Sequence, residues 1–410
     1  MYSVAVIGAG AAGLALSVMI KRNNPELSVV LIERLDRVGK KISVTGNGRC
    51  NISNISICRD NYHSHSDFNA MSVINQFDFE KTKEFFSSIG VEFRFEGNKC
   101  FPYSLQAASV VDALRFAAEE SGTEFMLSKS VKSVNSLKKS GGFILSGDNL
   151  NIKAKTVVFA CGGLAGGNKL GCDNAGFKLI EKLGHRITKL SPAIVQIKTE
   201  NTLTRQLKGV KVNADVSVLK NGSVVAKDSG EVLFCDYGLS GPPVLQLSGC
   251  CDCDSEIVLD IMPEFSENEI SDLIKKRIEI FKNKPMSDFF AGLIHKRLGQ
   301  IILKYCKIPL NDSPSCLGPR NISEITKAIK HLAFRVTGNT GFANAQSTFG
   351  GAYINEFYED TMMSKKVGGL FAIGEILDVC GDCGGYNLQW AWSSAYVCSK
   401  GICKYLGENK

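Results

Sequence analysis

The sequence predicts an α/β protein in which a Rossmann-like nucleotide-binding domain is split into two chain segments by an inserted antiparallel β domain with a small helical cap. Three observations predict this architecture. A strand, a glycine turn, a helix and a second strand follow one another within the first 33 residues. Short segments of alternating polarity replace this pattern from about residue 191, and a continuous apolar strand pattern returns at residues 369–375. The first domain is therefore expected to resume near the C-terminus.

The turn after the first strand carries the most specific motif of the chain. Three glycines, Gly8, Gly10 and Gly13, stand there at G-x-G-x-x-G spacing. Gly8 allows a tight turn, Gly10 lets a pyrophosphate approach the backbone, and Gly13 lets the following helix lie close to the sheet. Glu33 ends the second strand 20 residues after Gly13, where a carboxylate can accept hydrogen bonds from a ribose. The motif alone predicts a bound dinucleotide and is compatible with either NAD or FAD.

The composition is that of an ordinary globular protein. The 410 residues suffice for two or three domains, and hydrophobic and charged residues make up 44% and 22% of them. No apolar run approaches the roughly 18 residues that span a bilayer. The chain enters its first strand without a signal-like segment, so we expect a cytoplasmic protein without a membrane partner. The formal net charge of +7 mildly favours anionic ligands, and no nucleic-acid-binding motif accompanies it.

The fifteen cysteines are scattered through apolar contexts, which predicts buried thiols in a reducing compartment. Cys380 and Cys383 form a C-x2-C pair of the kind found in redox sites and in halves of zinc sites. No second pair with ligand spacing accompanies them, so no metal site is predicted. Thiol–disulfide exchange at these two cysteines stays open as an alternative chemistry.

Several polar stretches have more than one interpretation. Residues 45–51, with the sequence T-G-N-G-R-C-N, form a loop rich in backbone donors that suits an anionic or carbonyl-rich ligand, although a plain surface loop can have the same composition. His63 and His65 have no further ligand residues nearby, so they are interpreted as loop surface. The basic run at 275–277 is interpreted as a solvated helix face.

The middle of the first domain contains a second glycine turn. Strand patterns at 123–127, 131–134 and 142–145 predict a small antiparallel meander beside the nucleotide-binding sheet. The continuous apolar run 156–160 predicts a strand buried on both faces of a parallel sheet. It ends in Cys161-Gly162-Gly163, which can bring backbone close to the same ligand.

The inserted region contains two kinds of sequence pattern, one typical of strands and one typical of helices. Alternating segments between residues 193 and 234, with Asn221-Gly222 as a hairpin turn, predict the β domain. Helical periodicity over 268–304 and 323–332 predicts the cap.

The C-terminal segment returns to the pattern of a nucleotide-binding domain. Gly374 and Glu375 end a buried strand, Asp378 follows, and residues 384–392 begin a helix that runs to about residue 406. This arrangement supplies a carboxylate for a polyol and N–H groups for a ring system. Because these turns are expected to meet one ligand and no separate nicotinamide domain is present, the chain favours FAD over NAD.

Taken together, these motifs resemble the BaiN/YhiN-like FAD-dependent oxidoreductases, also called the aminoacetone oxidase family. The resemblance rests on the N-terminal glycine motif with Glu33, the loop 45–51, the loop 237–242 and the G-E-x-x-D and G-G-Y-N-x-Q-W-A sequences of residues 374–391, and it spans nearly the whole chain. The implied domains are a discontinuous FAD-binding Rossmann-like domain (1–190 and 350–410), an inserted β-barrel-like domain (191–263 and 332–349) and a helical cap (264–331).

The resemblance also implies which residues meet FAD. Those at the pyrophosphate are Gly8, Gly10 and Gly13; Glu33 faces the AMP ribose, and Val131 the adenine through its backbone. The flavin side is lined by Lys41, Thr45, Gly46, Gly48, Arg49 and Asn51, and it is closed by Gly374, Glu375, Asp378, Gly385, Tyr386 and Asn387. The predicted cofactor-binding set is completed by Ala12, Arg34, Asn47, Cys50, Gly162, Gly163 and Gln389. The chain departs from the family pattern at Asn47, where glycine is usual, at Asp236, where a threonine-histidine pair is common, and at Cys380 and Cys383.

The function implied is an FAD-dependent oxidoreductase in which NADH or NADPH visits the flavin transiently and hydride passes from flavin N5 to an electron-poor C=C of a steroid, bile-acid-like or other small enone. Two alternatives stay open: an amine oxidase of the aminoacetone type that uses O2, and a non-enzymatic flavin-binding redox or RNA-associated protein. Tyr237 and Tyr386 are candidate proton donors because both stand beside glycine turns. A small-molecule partner is expected rather than a nucleic acid, and the sequence leaves the oligomeric state open.

Overall fold

The computed structural model describes residues 1–137, 141–200 and 202–408. Its contacts divide the chain into a first unit, Met1–Ala193 with Phe342–Lys410, and a second unit, Ile194–Gly341. The boundaries predicted from the sequence lie at about residues 190 and 350, and they additionally separate a helical cap. That three-domain division stays a prediction.

The strands and helices are numbered in chain order. The strands are β1 (Tyr2–Ile7), β2 (Val29–Ile32), β3 (Ser53–Asn54), β4 (Tyr62–His63), β5 (Phe93–Glu96), β6 (Lys99–Pro102), β7 (Glu124–Met126), β8 (Val131–Ser136), β9 (Phe143–Gly147), β10 (Leu150–Phe159), β11 (Ser191–Ala193), β12 (Ile197–Thr199), β13 (Lys211–Lys220), β14 (Ser223–Phe234), β15 (Gly238–Ser240), β16 (Ser255–Asp260), β17 (Leu332–Asn339), β18 (Ser347–Phe349), β19 (Leu370–Ala372) and β20 (Cys380–Gly381). The helices are α1 (Ala11–Asn23), α2 (Met71–Ile74), α3 (Phe79–Ser87), α4 (Ala107–Glu120), α5 (Ala175–Lys182), α6 (Thr202–Gln206), α7 (Pro242–Leu247), α8 (Glu267–Phe281), α9 (Lys296–Tyr305), α10 (Pro319–Lys330) and α11 (Tyr386–Glu408).

A seven-stranded sheet forms the centre of the first unit. Its strand order is β7-β2-β1-β10-β9-β8, with β19 also paired to β10. Strands β7, β2, β1, β10 and β19 run parallel, and the run 156–160 is buried as predicted for such a sheet. The predicted meander is wrong in one part, because residues 124–126 pair in parallel with β2 at the sheet edge. The antiparallel part consists of β8, which pairs with β9, and β9, which pairs with β10.

Helix α11 carries much of the packing that holds the C-terminal segment to this sheet. It packs along α1, and the two tryptophans near its start are almost fully buried. Trp390 Nε1 donates to the carbonyl oxygen of Gly374 at 3.1 Å, and Trp392 Nε1 donates to that of Ile52 at 3.0 Å. Two distant stretches of chain are thereby fastened to one helix. No helix in the described part of the chain is long and apolar enough to cross a membrane.

The second unit is built on a closed barrel with the strand order β12-β15-β14-β13-β16-β17. The predicted Asn-Gly hairpin is present: Asn221 and Gly222 have φ values of 51° and 77° and connect β13 to β14. The last of the alternating segments predicted between residues 193 and 234 form one long strand, β14 (Ser223–Phe234).

The helical part of the second unit differs from the prediction of one pattern over 268–304. Helix α8 ends at Phe281, and α9 begins only at Lys296, because Pro285 and the left-handed Gly292 interrupt the chain between them. Arg277 is 9% exposed and donates to the carbonyl oxygens of Phe289 and Ala291. The interpretation of residue 277 as part of a solvated face is therefore wrong, since its guanidinium holds this connection in place.

Candidate dinucleotide-binding site

A cleft of about 1000 Å³ opens at the carboxyl ends of the parallel strands in the first unit. The turns after β1, β2, β10 and β19 all contribute to its walls, which is the position where ligands bind in open α/β sheets. All three predicted glycine turns, at residues 8–13, 162–163 and 374, thus belong to one part of the fold.

The first glycine turn has the geometry that its spacing predicts. Gly8 has φ of 106°, and a Cβ there would stand 2.5 Å from the carbonyl oxygen of Ala160. A Cβ on Gly13 would stand 2.0 Å from the carbonyl oxygen of Gly8, so the helix can approach the turn only without a side chain. Gly10 has no heavy atom within 4 Å of its Cβ position, which leaves space for a phosphate.

The N-terminus of α1 lies at the wall of the cleft. Gly10 is its N-cap, and no side chain accepts a hydrogen bond from the first turn. The N–H groups of that turn therefore lack protein partners along the cleft, at the positive end of the helix dipole.

Glu33 lies at the end of β2 with its carboxylate held by backbone donors. Its Oε2 accepts from the N–H of Ala9 at 2.9 Å, and its Oε1 accepts from the N–H of Leu35 at 3.0 Å. Each oxygen keeps a lone pair for a ribose hydroxyl, which suits the predicted role. A neighbouring cavity of about 530 Å³ continues past Glu33, and its walls include Val131 and Arg34, whose guanidinium pairs with Asp173.

The far end of the cleft is organised by Glu375. Its Oε2 lies 2.6 Å from Lys41 Nζ, and its Oε1 accepts from the N–H of Thr348 at 2.9 Å. The hydroxyl oxygen of Thr348 accepts in turn from the N–H groups of Leu164 and Ala165 at 2.9 and 3.0 Å. A Cβ on Gly163 would stand 2.4 Å from the Thr348 hydroxyl, whereas Gly162 has nothing within 4 Å. The second glycine turn is thus packed on one side and open on the other.

The 45–51 loop contributes to the cleft only through its first residue. Thr45 lines the cleft, whereas Arg49 pairs with Glu96 at 3.0 Å and Asn51 accepts from the N–H of Cys100. Asn47 has φ of 57°, and asparagine tolerates this left-handed conformation better than most residues, which explains how it replaces the usual glycine. The flavin contacts assigned to Gly46, Asn47, Gly48, Arg49, Cys50 and Asn51 stay predictions.

The residues of the C-terminal motif divide between the cleft and the core. Asn387 lines the cleft and bonds the backbone of Gly381 through both amide atoms, at 2.9 and 2.7 Å. Gln389 is fully buried, and protein groups use its amide: it accepts from Ser53 and donates to the carbonyl oxygen of Phe77. Its observed contacts are those of a structural residue. A Cβ on Gly385 would stand 2.6 Å from the carbonyl oxygen of Ser53.

The two tyrosines considered as proton donors lie in different units. Tyr386 is 9% exposed and packs edge-on against Tyr62, and burial raises its pKa. Tyr237 belongs to the second unit, where burial and the neighbouring Cys235 raise its pKa. Both roles stay predictions.

His63 and His65 are exposed, as the interpretation as loop surface expects, and each is in addition paired with an aspartate. His63 Nε2 lies 2.8 Å from Asp382 Oδ1, and this hydrogen bond raises the pKa of His63 although burial opposes the shift. His65 Nδ1 lies 3.1 Å from Asp378 Oδ1, and Asp378 is fully buried. Because the partners are 319 and 313 residues away along the chain, no local pattern could have revealed these pairs.

Other residues line the cleft without having been predicted, among them Cys172, Gln346 and Leu388. Cys172 and Gln346 lie in irregular chain without a motif. Leu388 falls inside the C-terminal motif, which is the one signal that could have identified it.

The cysteines give no support to dithiol chemistry. Cys380 and Cys383 are not joined in a disulfide, and burial raises the pKa of the Cys380 thiol to about 12. A thiol protonated to that extent is a poor nucleophile. Among the described residues, no group of three or more His, Cys, Asp or Glu side chains is placed to hold a metal ion.

The fold and the cleft define a Rossmann-type dinucleotide-binding protein, and the residues present fit FAD. The open Gly10, the uncapped helix and Glu33 suit its ADP half, and the Lys41–Glu375 pair suits its polyol. The chain belongs to the HI0933-like family: the family model described as "HI0933-like protein Rossmann domain" matches residues 2–401. It is an FAD-dependent oxidoreductase. The family match confirms the fold class and the family resemblance inferred from the sequence.

Curated relatives match along almost the whole chain. A 3-dehydro-bile acid delta(4,6)-reductase of Clostridium scindens is 32% identical, with 98% of each chain covered. A ribosomal RNA dihydrouridine synthase of Escherichia coli is 28% identical, again with 98% of each chain covered. A solved quinol-fumarate reductase matches with a TM-score of 0.50 and 14% identity, over 100% of this chain and 72% of that one, and this likeness shows the fold alone.

Proposed function

We propose that the protein reduces a C=C bond conjugated to a carbonyl group, with NADH or NADPH as electron donor and a steroid or bile-acid-like enone as substrate. The observation that carries this proposal is the 32% identity, over 98% of both chains, to a delta(4,6)-reductase of a 3-dehydro bile acid. In such a substrate the 3-oxo group withdraws electrons from the double bonds, so that hydride attack becomes favourable.

The second relative supports the same type of chemistry. Synthesis of dihydrouridine also saturates a C=C that is conjugated to a carbonyl, in this case within the uracil ring. Two relatives with different substrates therefore share one reaction type. This supports the reaction type for the present protein more strongly than it supports either substrate.

In this proposal FAD supplies the hydride at its N5 atom. The chain binds its phosphates at the uncapped N-terminus of α1 and its adenosine ribose at Glu33. Lys41 and Glu375 hold the polyol of FAD, and Gly162, which has no side chain, leaves room for that part of the cofactor. Because the three glycine turns border one cleft, the nicotinamide donor is proposed to visit the flavin transiently rather than to occupy a domain of its own.

Uridine in ribosomal RNA is a second candidate substrate. The observation that favours it is the 28% identity, over 98% of both chains, to the dihydrouridine synthase, and the net charge of +7 is compatible with a polyanion.

The experiment begins with the purified protein and its visible absorbance. Under anaerobic conditions we expect NADH or NADPH to bleach the bound flavin, and a 3-oxo-4,6-diene bile acid to restore its colour while gaining two hydrogens, read by mass spectrometry. In parallel experiments, unmodified ribosomal RNA transcript and O2 are tested as alternative acceptors, and aminoacetone is tested as an alternative donor. The matched control is Gly10→Val, which should bind no FAD.

Each arm has a defined meaning. Recovery with RNA and not with the bile acid would replace the first substrate by the second. Bleaching by aminoacetone and recovery with O2 alone would overturn the proposal in favour of an amine oxidase. A protein that binds flavin but reacts with neither donor nor acceptor would overturn both.

A further inference from the structure

The geometry points to His65, held by the buried carboxylate of Asp378, as the acid that protonates the α-carbon of the substrate. This inference rests on the proposed function, because only the reduction of a conjugated C=C needs a proton at that position. It assigns His65 the catalytic role and Asp378 a positioning role.

The pair has the geometry of a carboxylate that orients an imidazole. Asp378 is fully buried, and both of its carboxylate oxygens face His65: Oδ1 lies 3.1 Å from Nδ1, and Oδ2 accepts from the backbone N–H of His65 at 3.1 Å. A carboxylate oxygen at this distance accepts a hydrogen bond from the ring, so it keeps the proton of the neutral imidazole on Nδ1. The other ring nitrogen, Nε2, is then the atom that exchanges a proton with a ligand.

The ring is held on its other sides as well. The imidazole stacks on Phe349, with ring centroids 4.3 Å apart and an angle of 26° between the planes. The hydroxyls of Ser64 and Ser66 lie 3.0 Å apart and tighten the turn that carries His65. This turn follows β4, which pairs with β20. A side chain fixed in this way has the preorganisation that proton transfer requires.

The residues that hold His65 are close in the chain to residues of the cleft wall. Val379, which follows Asp378 in the chain, lines the cleft, as do Gln346, three residues before Phe349, and Asn387. The His65 side chain keeps 31% of its surface exposed, whereas its partner Asp378 keeps none. The ring is therefore partly open to solvent, from which it can recover a proton, and the proposal places its exposed edge toward the bound substrate.

Other groups of the same segment are less suited to the role. Burial raises the pKa of Tyr386, and burial raises that of Cys380 to about 12, so neither releases a proton readily. His63 is 54% exposed and is held by Asp382 through Nε2. Lys41 is bound to Glu375 within the cleft.

The step balances as follows. FAD held in the cleft and reduced by NAD(P)H would supply the hydride, with its two electrons, for the C–H bond at the β-carbon. The π electrons move to the carbonyl oxygen, which gives an enolate. The enolate then takes the proton from Nε2 of the His65 imidazolium and forms the C–H bond at the α-carbon, and the neutral imidazole takes a proton from solvent.

The test separates the two halves of the reaction in His65→Gln, whose amide can still donate to Asp378. We expect unchanged FAD content, unchanged bleaching by NAD(P)H, and reoxidation by the enone that is slower by about 100-fold or more. Because a proton donor must be protonated to act, the wild-type reoxidation rate should fall with rising pH, and this fall should be lost in His65→Gln and displaced in Asp378→Asn. His63→Gln is the matched control: the His63–Asp382 pair titrates two residues away, yet its loss should change neither the rate nor the profile.

Two further readouts do not depend on how well one variant folds. Imidazole in the buffer should partly restore reoxidation of His65→Ala. In the resting wild-type protein, nitrogen NMR should show the neutral His65 ring protonated at Nδ1, and Asp378→Asn should mix the tautomers.

The outcomes distinguish the two proposals. A wild-type protein that reduces no enone and no uridine overturns the proposed function and this inference with it. An active wild-type protein overturns the role of His65 alone if His65→Gln is reoxidised at the wild-type rate, if the pH profile is unchanged, or if the resting ring is protonated at Nε2 only. Loss of reoxidation in Tyr386→Phe or Tyr237→Phe, with His65→Gln unaffected, would assign the proton to that tyrosine.

Discussion

Lys41 Nζ and Glu375 Oε2 lie 2.6 Å apart and join two points of the chain that are 334 residues distant from each other. Both side chains are about one-fifth exposed, and Glu375 also accepts from the backbone of Thr348. The pair therefore connects the first βαβ unit to the C-terminal strand at the far end of the cleft.

Glu375→Gln should weaken FAD binding. A hydrogen bond to a charged group contributes about 1.5–3 kcal/mol, so we expect the Kd for FAD to rise by about tenfold or more. Titration of the apoprotein with FAD, followed by flavin fluorescence, measures this. Glu324→Gln in the second unit is the control, because its Arg320 partner is 90% exposed and the pair should contribute little. An unchanged Kd in Glu375→Gln would show that this carboxylate does not serve the cofactor.

Gly10→Val and Gly13→Ala should fail in different ways. A side chain at Gly10 meets no protein atom within 4 Å, so the apoprotein should unfold at the wild-type temperature while FAD binding is lost. A Cβ at Gly13 would overlap the carbonyl oxygen of Gly8, so the unfolding free energy should fall by about 1–3 kcal/mol. Thermal denaturation of both apoproteins separates the two effects. Equal losses of stability would contradict the open position of Gly10.

Gln389→Leu should destabilise the protein without directly removing a cleft residue. The substitution leaves the hydroxyls of Ser53 and Thr82 without the amide oxygen that accepts from them, while the carbonyl oxygen of Phe77 keeps the hydrogen bond from Ser393. Unsatisfied buried groups cost about 1–3 kcal/mol each, so we expect a drop of several degrees in Tm. The exposed Gln206, changed to Leu, should shift Tm by much less. A stable Gln389→Leu that has lost FAD would instead favour the contact with the cofactor.

His185 and His63 should give stability opposite dependences on pH. Burial lowers the pKa of His185 from its ordinary value of 6.5, so the unfolded chain binds more protons just below pH 6.5 and stability falls as the pH drops there. Asp382 raises the pKa of His63 above 6.5, so its contribution is present at low pH and is lost as the pH rises through the raised value. Urea denaturation across this range should show one slope disappear in His185→Gln and the other in His63→Gln. A retained slope would mean that another group titrates.

Much of the nucleotide-binding core was predictable because its physics is local. A turn that must approach a phosphate requires glycine at set positions, and a strand buried on both faces requires continuous apolar residues. Residues 8, 10 and 13, Glu33 at the end of β2 and the hairpin at Asn221 are all of this kind, since backbone conformation and nearest neighbours decide them.

The C-terminal motif was predictable as a motif but not as a set of contacts. Gln389 and Asn387 stand two residues apart in one helix, yet the amide of Gln389 is used inside the core and Asn387 lines the cleft. Helical periodicity separates buried from exposed faces, and it cannot distinguish a face buried against protein from one that faces a cofactor.

The sequence by itself therefore determined the fold class, the family and the position of the dinucleotide cleft, because glycine spacing and strand burial act over a few residues. Only the tertiary structure decided that Gly163 is packed against Thr348, that Arg277 is buried, and that His65 meets Asp378. These contacts join residues far apart in the chain, and their energies depend on burial and on distances that exist only once the segments have packed together. The proposed chemistry depends on contacts of this second kind.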